Sequence, residues 1–291
     1  MLWIVFTILT AVLAAGHQII KKKALFKEHA IVFSMNLATI ILILSVFLIP
    51  FANFSNIELS HVLIIYLASL LSTVAFYFLA KSLRHKELSA VSPFTNLSPA
   101  LVAIIAFFLL GETITKLQIG GISLMVVGAY VLNSENIHGH FLEPFKRLNS
   151  KYFLFIIIAL TFYALTATIE RFLFLDGVTP FTFLIILHFF IFINFFLLTN
   201  IIFHQHIGAM KESFKRSGFW LILSGVVTIV TRGTHVYAVS LAPAVALVIG
   251  VKRISTLLST IIGGEIFHEK GLGRKIVACI IMLVGAYLLL F

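Results

Sequence analysis

The sequence predicts an all-α membrane protein with ten transmembrane helices in two five-helix repeats of inverted topology. Three observations lead to this prediction: the composition, ten long apolar segments and an internal repeat. Of the 291 residues, 60% are hydrophobic and 11% are charged, and the mean hydropathy is +1.11. Soluble domains contain about 25% charged residues. Most of the surface of this protein is therefore expected to face lipid.

Each apolar segment approaches the ~20 residues that a helix needs to cross a bilayer. Polar and apolar residues do not alternate within these segments, as they would in the strands of a membrane barrel. The first segment lacks a basic start and a small-residue cleavage site, so we interpret it as a helix and not as a signal peptide. The predicted segments are Leu2–Ile20, Ala30–Pro50, Val62–Leu83, Leu88–Leu110, Leu117–Leu132, Tyr152–Phe174, Pro180–Phe203, Phe219–Leu241, Ala244–Ile262 and Lys275–Phe291.

The fourth segment contains Pro93 and Pro99. Proline removes a backbone donor inside a helix, so a kink or a break is expected there. The discontinuity either shapes the helix only or lines a central cavity. The fifth and tenth segments are short. The longest connection, residues 133–150, is polar and contains Pro144, which is typical of a linker between two halves.

An internal repeat relates the two halves of the chain. Glu112 recurs as Glu269, and the Gly128–Tyr130 triplet recurs as Gly285–Tyr287, in each case 157 residues later. Five helices per repeat is an odd number, so the second repeat enters the membrane from the opposite side. Inverted repeats of this kind are typical of secondary transporters. The predicted parts are residues 1–135 for the first five-helix repeat, 136–151 for the connecting loop and 152–291 for the second five-helix repeat.

Lysine and arginine are distributed unevenly among the connections. Sixteen lie in the odd-numbered connections, whereas the even-numbered ones hold only Lys116 and Arg171. Because cytoplasmic loops carry the excess of these residues, the odd-numbered connections are predicted to be cytoplasmic and both termini outside. With no targeting extension in the sequence, a prokaryotic plasma membrane is the expected location.

Lys252 and Arg253 stand in the middle of the ninth apolar segment. A cation at the centre of a membrane helix costs about 2.5–3.5 kcal/mol on insertion scales, so such residues usually face a cavity or a partner. Arginine offers a planar fork to carboxylate or phosphate, and lysine offers a point charge. The two side chains either bind an anionic substrate or pair with an intramembrane acid or with backbone carbonyls.

Three motifs resemble the drug/metabolite transporter superfamily, in its ten-helix EamA-like branch. They are Pro99 in LSPALVAIIAFFLLGE with the Gly111–Glu112 turn, the following G-x7-G-A-Y segment, and a second copy that runs from Gly263–Gly264 through Phe267–Lys270 to LVGAYLL. The resemblance covers nearly the whole chain. It implies a basket of ten helices around a central cavity that opens alternately to each side, with the fifth and tenth helices in supporting positions.

The resemblance also implies a role for the Lys252–Arg253 pair. Plastid sugar-phosphate translocators of the same superfamily bind substrate phosphate with a Lys-Arg pair on the ninth helix, and VKRISTLLS matches that pair in position and type. In the repeat register, Thr95 and Asn96 stand where the second half has Lys252 and Arg253. The cavity is therefore expected to be asymmetric, with its positive wall in the C-terminal half.

Further candidates for substrate binding lie on the eighth segment. Arg232 and His235 are three residues apart and share a helix face, and Tyr237 follows them. This group could form the opposite wall of the cavity. Alternatively, Arg232 supports packing or meets an acidic partner such as Glu170.

The first half offers Tyr77, Thr95 and Asn96 as candidates. Thr95 and Asn96 could bind substrate or satisfy backbone groups that the prolines leave free. Tyr77 lies one turn before Lys81, whose side chain is expected to extend to the interface. The histidines His17 and His188 could exchange protons, although a histidine within a membrane is more often an ordinary hydrogen-bonded residue.

The sequence contains no nucleotide-binding loop, zincin motif or serine nucleophile elbow. We therefore predict a protein that is not an enzyme and that needs no cofactor or metal. Its predicted partners are a small-molecule substrate, the lipid bilayer and, in one alternative, a coupled ion or proton. Nucleic acid is not a predicted partner. The first hypothesis is a secondary transporter of a small polar, anionic metabolite. The alternatives are an exporter of amino acids or cationic drugs with a structural Lys-Arg pair, and a non-transporting membrane receptor or assembly subunit.

Overall fold

The regular structure of the described chain is helical throughout. A computed structural model describes residues 2–26, 28–55, 57–111, 115–133, 151–202, 207–243 and 245–288. No strand occurs within these ranges. The α-helices, numbered α1 to α12 in chain order, are Leu2–Leu25, Ala30–Ser45, Leu59–His85, Leu88–Phe94, Ser98–Leu110, Lys116–Asn133, Lys151–Leu175, Pro180–Leu197, Ile207–Leu241, Val245–Lys252, Ile254–Ile266 and Leu272–Leu288.

Short non-α turns extend or join several of these helices. A 3₁₀ helix continues α2 over Val46–Phe51, a 3₁₀ turn at Thr95–Leu97 joins α4 to α5, and a π-helical turn continues α8 over Leu198–Ile202. Pro50 lies inside the first of these turns. Its missing amide hydrogen is tolerated there because an α-helix need not continue beyond it.

Eight stretches of the described chain are long and apolar enough to cross a membrane. They comprise α1, α2, α3, α4 with α5, α7, α8, α9, and α10 with α11, which correspond to eight of the ten predicted segments. The predicted fifth segment forms α6, part of which is a shorter apolar helix. The predicted tenth segment forms the 17-residue helix α12.

The fourth and ninth segments are both interrupted near their middle. The break between α4 and α5 lies between Pro93 and Pro99, where the chain lacks two backbone donors. The break between α10 and α11 falls at Arg253 without any proline, and the Thr256 hydroxyl donates to the Arg253 carbonyl at 2.7 Å. Helix α10 begins at residue 245, which is 157 residues after the start of α4 at residue 88.

Helix α9 begins at Ile207, twelve residues before the predicted start of its apolar segment at Phe219. The additional turns are charged, so hydropathy gave no signal for them. They are attached to the start of α2, since Ser217 donates to the buried carboxylate of Glu28 at 3.0 Å and Arg216 pairs with it at 3.5 Å.

Helices α6 and α12 pack closely against each other through their glycines. A Cβ at Gly285 would lie 2.6 Å from the Gly121 carbonyl oxygen, and one at Gly128 would lie 3.0 Å from the Ala278 carbonyl oxygen. The small residues of the G-A-Y motifs therefore serve a contact within the chain, the packing role that small residues often have in membrane proteins.

One end of the helix bundle, here called the basic end, is where α1 and α3 finish and where α2, α4 and α12 begin. There the Glu269 carboxylate accepts a hydrogen bond from the Leu88 amide at 2.7 Å and so caps α4. Lys275 contacts Glu87 and lies 3.9 Å from Glu269. Lys22 donates to the Leu83 carbonyl at the end of α3, at 2.6 Å. The contacts of Glu269 and Lys275 with Leu88 and Glu87 join the first half of the chain to the second.

Candidate functional site

A cavity of about 290 Å³ lies among the helices. The described lining residues come from α1, α2, α3, α4, α5, α7, α8, α9, α10 and the two broken regions, and none of them belongs to α6 or α12. This distribution agrees with the supporting positions that the family resemblance implies for the fifth and tenth segments. The volume is close to the lower limit of typical small-molecule sites, about 300 Å³.

Lys252 and Arg253 line this cavity at the break in the ninth segment. Arg253 donates from Nη2 to the Ser98 hydroxyl at 2.9 Å, so it also spans to the start of α5. Its Nε is buried without a hydrogen-bond partner among the described residues. Lys252 lies within electrostatic range of Arg253, Arg232 and Glu170. The interruption of the helix places both cations on the cavity wall although they are adjacent in sequence.

Arg232, His235 and Glu170 form a second polar group on the wall, contributed by α9 and α7. The His235 Nε2 atom lies 4.0 Å from the Glu170 Oε1 atom, and both side chains are buried. Arg232 is close enough to Glu170 to stabilise its charge, in line with the acidic partner considered from the sequence. Glu170 is the single carboxylate among the described lining residues.

The basic-end part of the cavity is lined by Lys21 and His17 of α1. Lys21 is 5% exposed, and its Nζ lies 4.1 Å from the centroid of the Phe76 ring. His17 Nε2 is 2.9 Å from the Thr228 hydroxyl and 3.2 Å from the Ser224 hydroxyl, both on α9. The polar face of α1 is thereby fixed against α9.

Four cavity-lining side chains each present a buried polar atom without a hydrogen-bond partner in the described structure. These atoms are Glu170 Oε1, Arg232 Nη2, His235 Nδ1 and Arg253 Nε. A buried unpaired polar group costs about 1–3 kcal/mol, and native proteins contain few of them. Four around one cavity indicate a site that is completed by a polar ligand or by water.

Of the eight substrate-binding candidates named from the sequence, five line the cavity: Thr95, Arg232, His235, Lys252 and Arg253. The other three, Asn96, Tyr77 and Tyr237, lie outside its lining. The cavity therefore brings together one candidate from the first half and four from the second.

Asn96 is fully buried beside the cavity and not in its lining. Its Oδ1 accepts from the Thr256 hydroxyl at 2.6 Å, and its Nδ2 lies 3.5 Å from Cys279 Sγ. Asn96 thus connects the two broken segments and α12, which satisfies polar groups near the breaks.

Tyr77 and Tyr237 also lie outside the cavity lining. Tyr77 packs against apolar core residues, and the Lys81 ammonium lies 3.5 Å from its hydroxyl oxygen. Tyr237 is 36% exposed and stacks edge-on to Phe6, with the ring centroids 4.9 Å apart.

Two cavity residues are not among the substrate-binding candidates predicted from the sequence. The predicted first segment ends at Ile20 and so leaves Lys21 in a connection, but α1 continues to Leu25 and turns this side chain inward. Glu170, considered from the sequence as an acidic partner for Arg232, is 2% exposed and itself lines the cavity. A signal for Glu170 existed in the sequence, because it shares a helix face with Tyr163 and Thr166, seven and four residues earlier.

Residues 1–134 match the EamA-like transporter family. The protein is also similar to two curated relatives, each named multidrug resistance protein EbrB. The one from Bacillus subtilis (strain 168) is 40% identical over 65 residues, which is 22% of this chain and 56% of the relative. The one from Bacillus atrophaeus is 42% identical over 60 residues, 20% of this chain and 51% of the relative. The chain thus spans about half the length of the curated relatives it matches.

A solved crystal structure has the same fold, with a TM-score of 0.68 at 14% sequence identity, over 98% of this chain and 95% of that chain. At this identity the likeness concerns the fold alone. The family match covers the first half of the chain, where Pro99 and the Gly111–Glu112 turn lie. Over residues 1–134 the protein is therefore EamA-like, which confirms there the family resemblance stated from its sequence motifs.

Proposed function

We propose that this protein is a secondary transporter that moves a small polar anion across a membrane by alternating access. One observation carries the proposal: the cavity combines four cationic side chains with one carboxylate among its described lining residues. The cations are Lys21, Arg232, Lys252 and Arg253, and the carboxylate is Glu170. Such an excess of positive charge between apolar helices is costly unless an anion occupies the site for part of the transport cycle.

The architecture proposed for this transport is ten membrane-spanning segments in two inverted five-helix halves. It is supported by the breaks in the fourth and ninth segments, whose first helices begin 157 residues apart. Transporters often bind substrate where helices are discontinuous, because the freed helix ends face the site. Lys252 and Arg253 lie at one such break and Thr95 at the other.

Alternating access requires the two halves to separate at one end of the cavity while they stay together at the other. At the basic end, Glu269 of the second half caps α4 of the first half. At the opposite end, the Thr182 hydroxyl accepts from the Asn53 amide at 2.9 Å and donates to its carbonyl at 2.8 Å. These two sets of contacts lie on opposite sides of the cavity, so each can serve as a closing contact in one half of the cycle.

The test is counterflow of labelled metabolites in liposomes with wild-type protein and the variants Lys252→Ala and Arg253→Ala. Lys23→Ala is the matched control, because Lys23 is exposed and lies over the Trp220 ring, outside the cavity. We expect at least about a tenfold loss of counterflow in the two cavity variants, since one charge-assisted hydrogen bond contributes about 1.5–3 kcal/mol. Normally inserted variants that transport at the wild-type rate would contradict the proposal.

Export of drugs is the second candidate function, and it follows from the names of the Bacillus relatives. A cationic drug would need Glu170 as its counter-charge, with the Lys252–Arg253 pair in a structural role. Thermal-shift screening across anions, cations and amino acids separates the two, because a ligand stabilises the folded state in proportion to its occupancy. Stabilisation by cations that is lost in Glu170→Gln would favour drug export. No stabilisation and no counterflow across the panel would favour a non-transporting receptor or assembly subunit.

A further inference from the structure

Lys21 is a buried cation without a counter-charge among the residues that the structure describes. Its ammonium group lies over the face of Phe76, which attracts the cation but supplies no hydrogen-bond acceptor. No salt bridge or hydrogen bond joins Lys21 to any residue that the structure describes, and its side chain lines the cavity. A buried ammonium normally has a paired charge or a hydrogen-bond acceptor.

The charge of Lys21 is separate from that of the Lys252–Arg253 wall, because Lys21 lies one turn before the end of α1 at the basic end, whereas Lys252 and Arg253 lie at the break within the ninth segment. The charged neighbours that act on Lys252 are Arg253, Arg232 and Glu170. His17, one helical turn before Lys21, is within electrostatic range of both Lys21 and Lys252. The cavity therefore has two positive regions, and His17 is within electrostatic range of both.

Apolar side chains make up much of the rest of the cavity lining, among them Leu37, Ile41 and Leu79. Such a wall suits methylene groups better than hydroxyl groups. The cavity volume of about 290 Å³ equals roughly ten water molecules at about 30 Å³ each. A ligand of on the order of ten non-hydrogen atoms would fill it, which is the size of a short linear dicarboxylate.

We propose that the cavity binds a compact dianion, with two anionic groups joined by a short apolar chain. One group is held by Lys252, Arg253 and Arg232, and the other by Lys21. This inference rests on the proposed anion transport and specifies its substrate class. A monoanion would satisfy the first region only and leave the Lys21 ammonium without a partner.

The experiment compares dicarboxylates with their half-amides, which have nearly the same shape and one charge fewer. Binding of succinate, glutarate and adipate, and of the half-amide of each, is measured on the purified full-length chain by thermal shift and by competition in counterflow. The variants are Lys21→Gln and Lys21→Arg, and Lys23→Gln is the control on the same helix. Lys23 is exposed, so its substitution leaves the cavity unchanged.

We expect wild-type protein to bind at least one dicarboxylate tenfold or more tightly than its half-amide. Lys21→Gln should reduce that ratio to near one by weakening the dicarboxylate alone, whereas Lys21→Arg should retain most of it. Lys23→Gln should behave like wild type. Recovery of the preference in Lys21→Arg would show that the charge matters and not only the correct folding of α1.

Three results would overturn the inference. In the first, anion binding requires Lys252 and Arg253, but dicarboxylates and their half-amides bind equally well. That result would support the proposed function and exclude the second anion subsite at Lys21. Equal weakening of dicarboxylate and half-amide in Lys21→Gln would assign Lys21 a general role in the cavity. If none of these anions bound while cations did, the proposed function would fall together with the inference.

Discussion

Substitution of Gly285 by alanine tests the packing of α6 against α12. An added Cβ would lie 2.6 Å from the Gly121 carbonyl oxygen, 2.9 Å from Met125 Cγ and 3.0 Å from the Met125 amide nitrogen. Two of these three atoms belong to the backbone, so the contact is relieved only if the helices move apart. Overpacking of this kind costs about 1–3 kcal/mol. The better helix propensity of alanine recovers at most about 1 kcal/mol of that.

The expected net effect of Gly285→Ala is a destabilisation of about 0–2 kcal/mol, the overpacking cost of about 1–3 kcal/mol less a propensity gain of about 1 kcal/mol. A change of this size lowers the unfolding midpoint by up to roughly 8 °C. Thermal unfolding of the purified protein in detergent measures it. Gly120→Ala is the matched control, because a Cβ at Gly120 on α6 would meet no atom within 4 Å. That variant should be as stable as wild type or slightly more stable.

The reasoning would be refuted if Gly285→Ala were at least as stable as Gly120→Ala. Such a result would mean that α6 and α12 are not in contact at this glycine. The small-residue face would then be free for contacts with another molecule. If only Gly285→Ala is destabilised, the G-A-Y motif serves packing within the chain.

Two further predictions concern the basic end and α12. Glu269→Ala should lower the free energy of unfolding by about 0.5–2 kcal/mol, because the Leu88 amide loses its capping acceptor. The control Glu265→Ala, at an exposed position on α11, should have little effect. Equal unfolding midpoints for the two variants would contradict the capping role of Glu269. Cys279 on α12 is fully buried and is the single cysteine of the chain. A maleimide should therefore label the protein only after it unfolds. Rapid labelling of the folded protein would contradict the position of α12.

Much of the secondary structure could be predicted from the sequence. The helices that begin at Ala30, Leu88 and Pro180 start where the apolar segments start. In each case the residue before the helix has an extended backbone. Pro180 is the first residue of α8, a position that proline favours. The start of α9 at Ile207 could not be predicted from hydropathy, because its first turns lie outside the apolar segment and are held by a contact with Glu28.

The candidate site was predictable in part. Lys252 and Arg253 were identifiable because a charge inside an apolar segment is rare and costly. Lys21 was not, because a lysine next to Lys22 and Lys23 at the end of an apolar segment has the same local sequence as an interfacial loop. Only the packing of α1 against its neighbours turns Lys21 toward Phe76.

The sequence by itself determined that the chain forms apolar helices, where most of them lie, and that cations occur within one of them. These properties depend on hydrophobicity and on local backbone chemistry, which can be evaluated one segment at a time. The tertiary structure decided which polar side chains meet. Rotation of a helix about its axis is set by contacts with other helices, such as those between α1 and α9 that bind His17. For that reason Lys21, Glu170 and Arg253 share one cavity, whereas Asn96 and Tyr77 lie outside its lining.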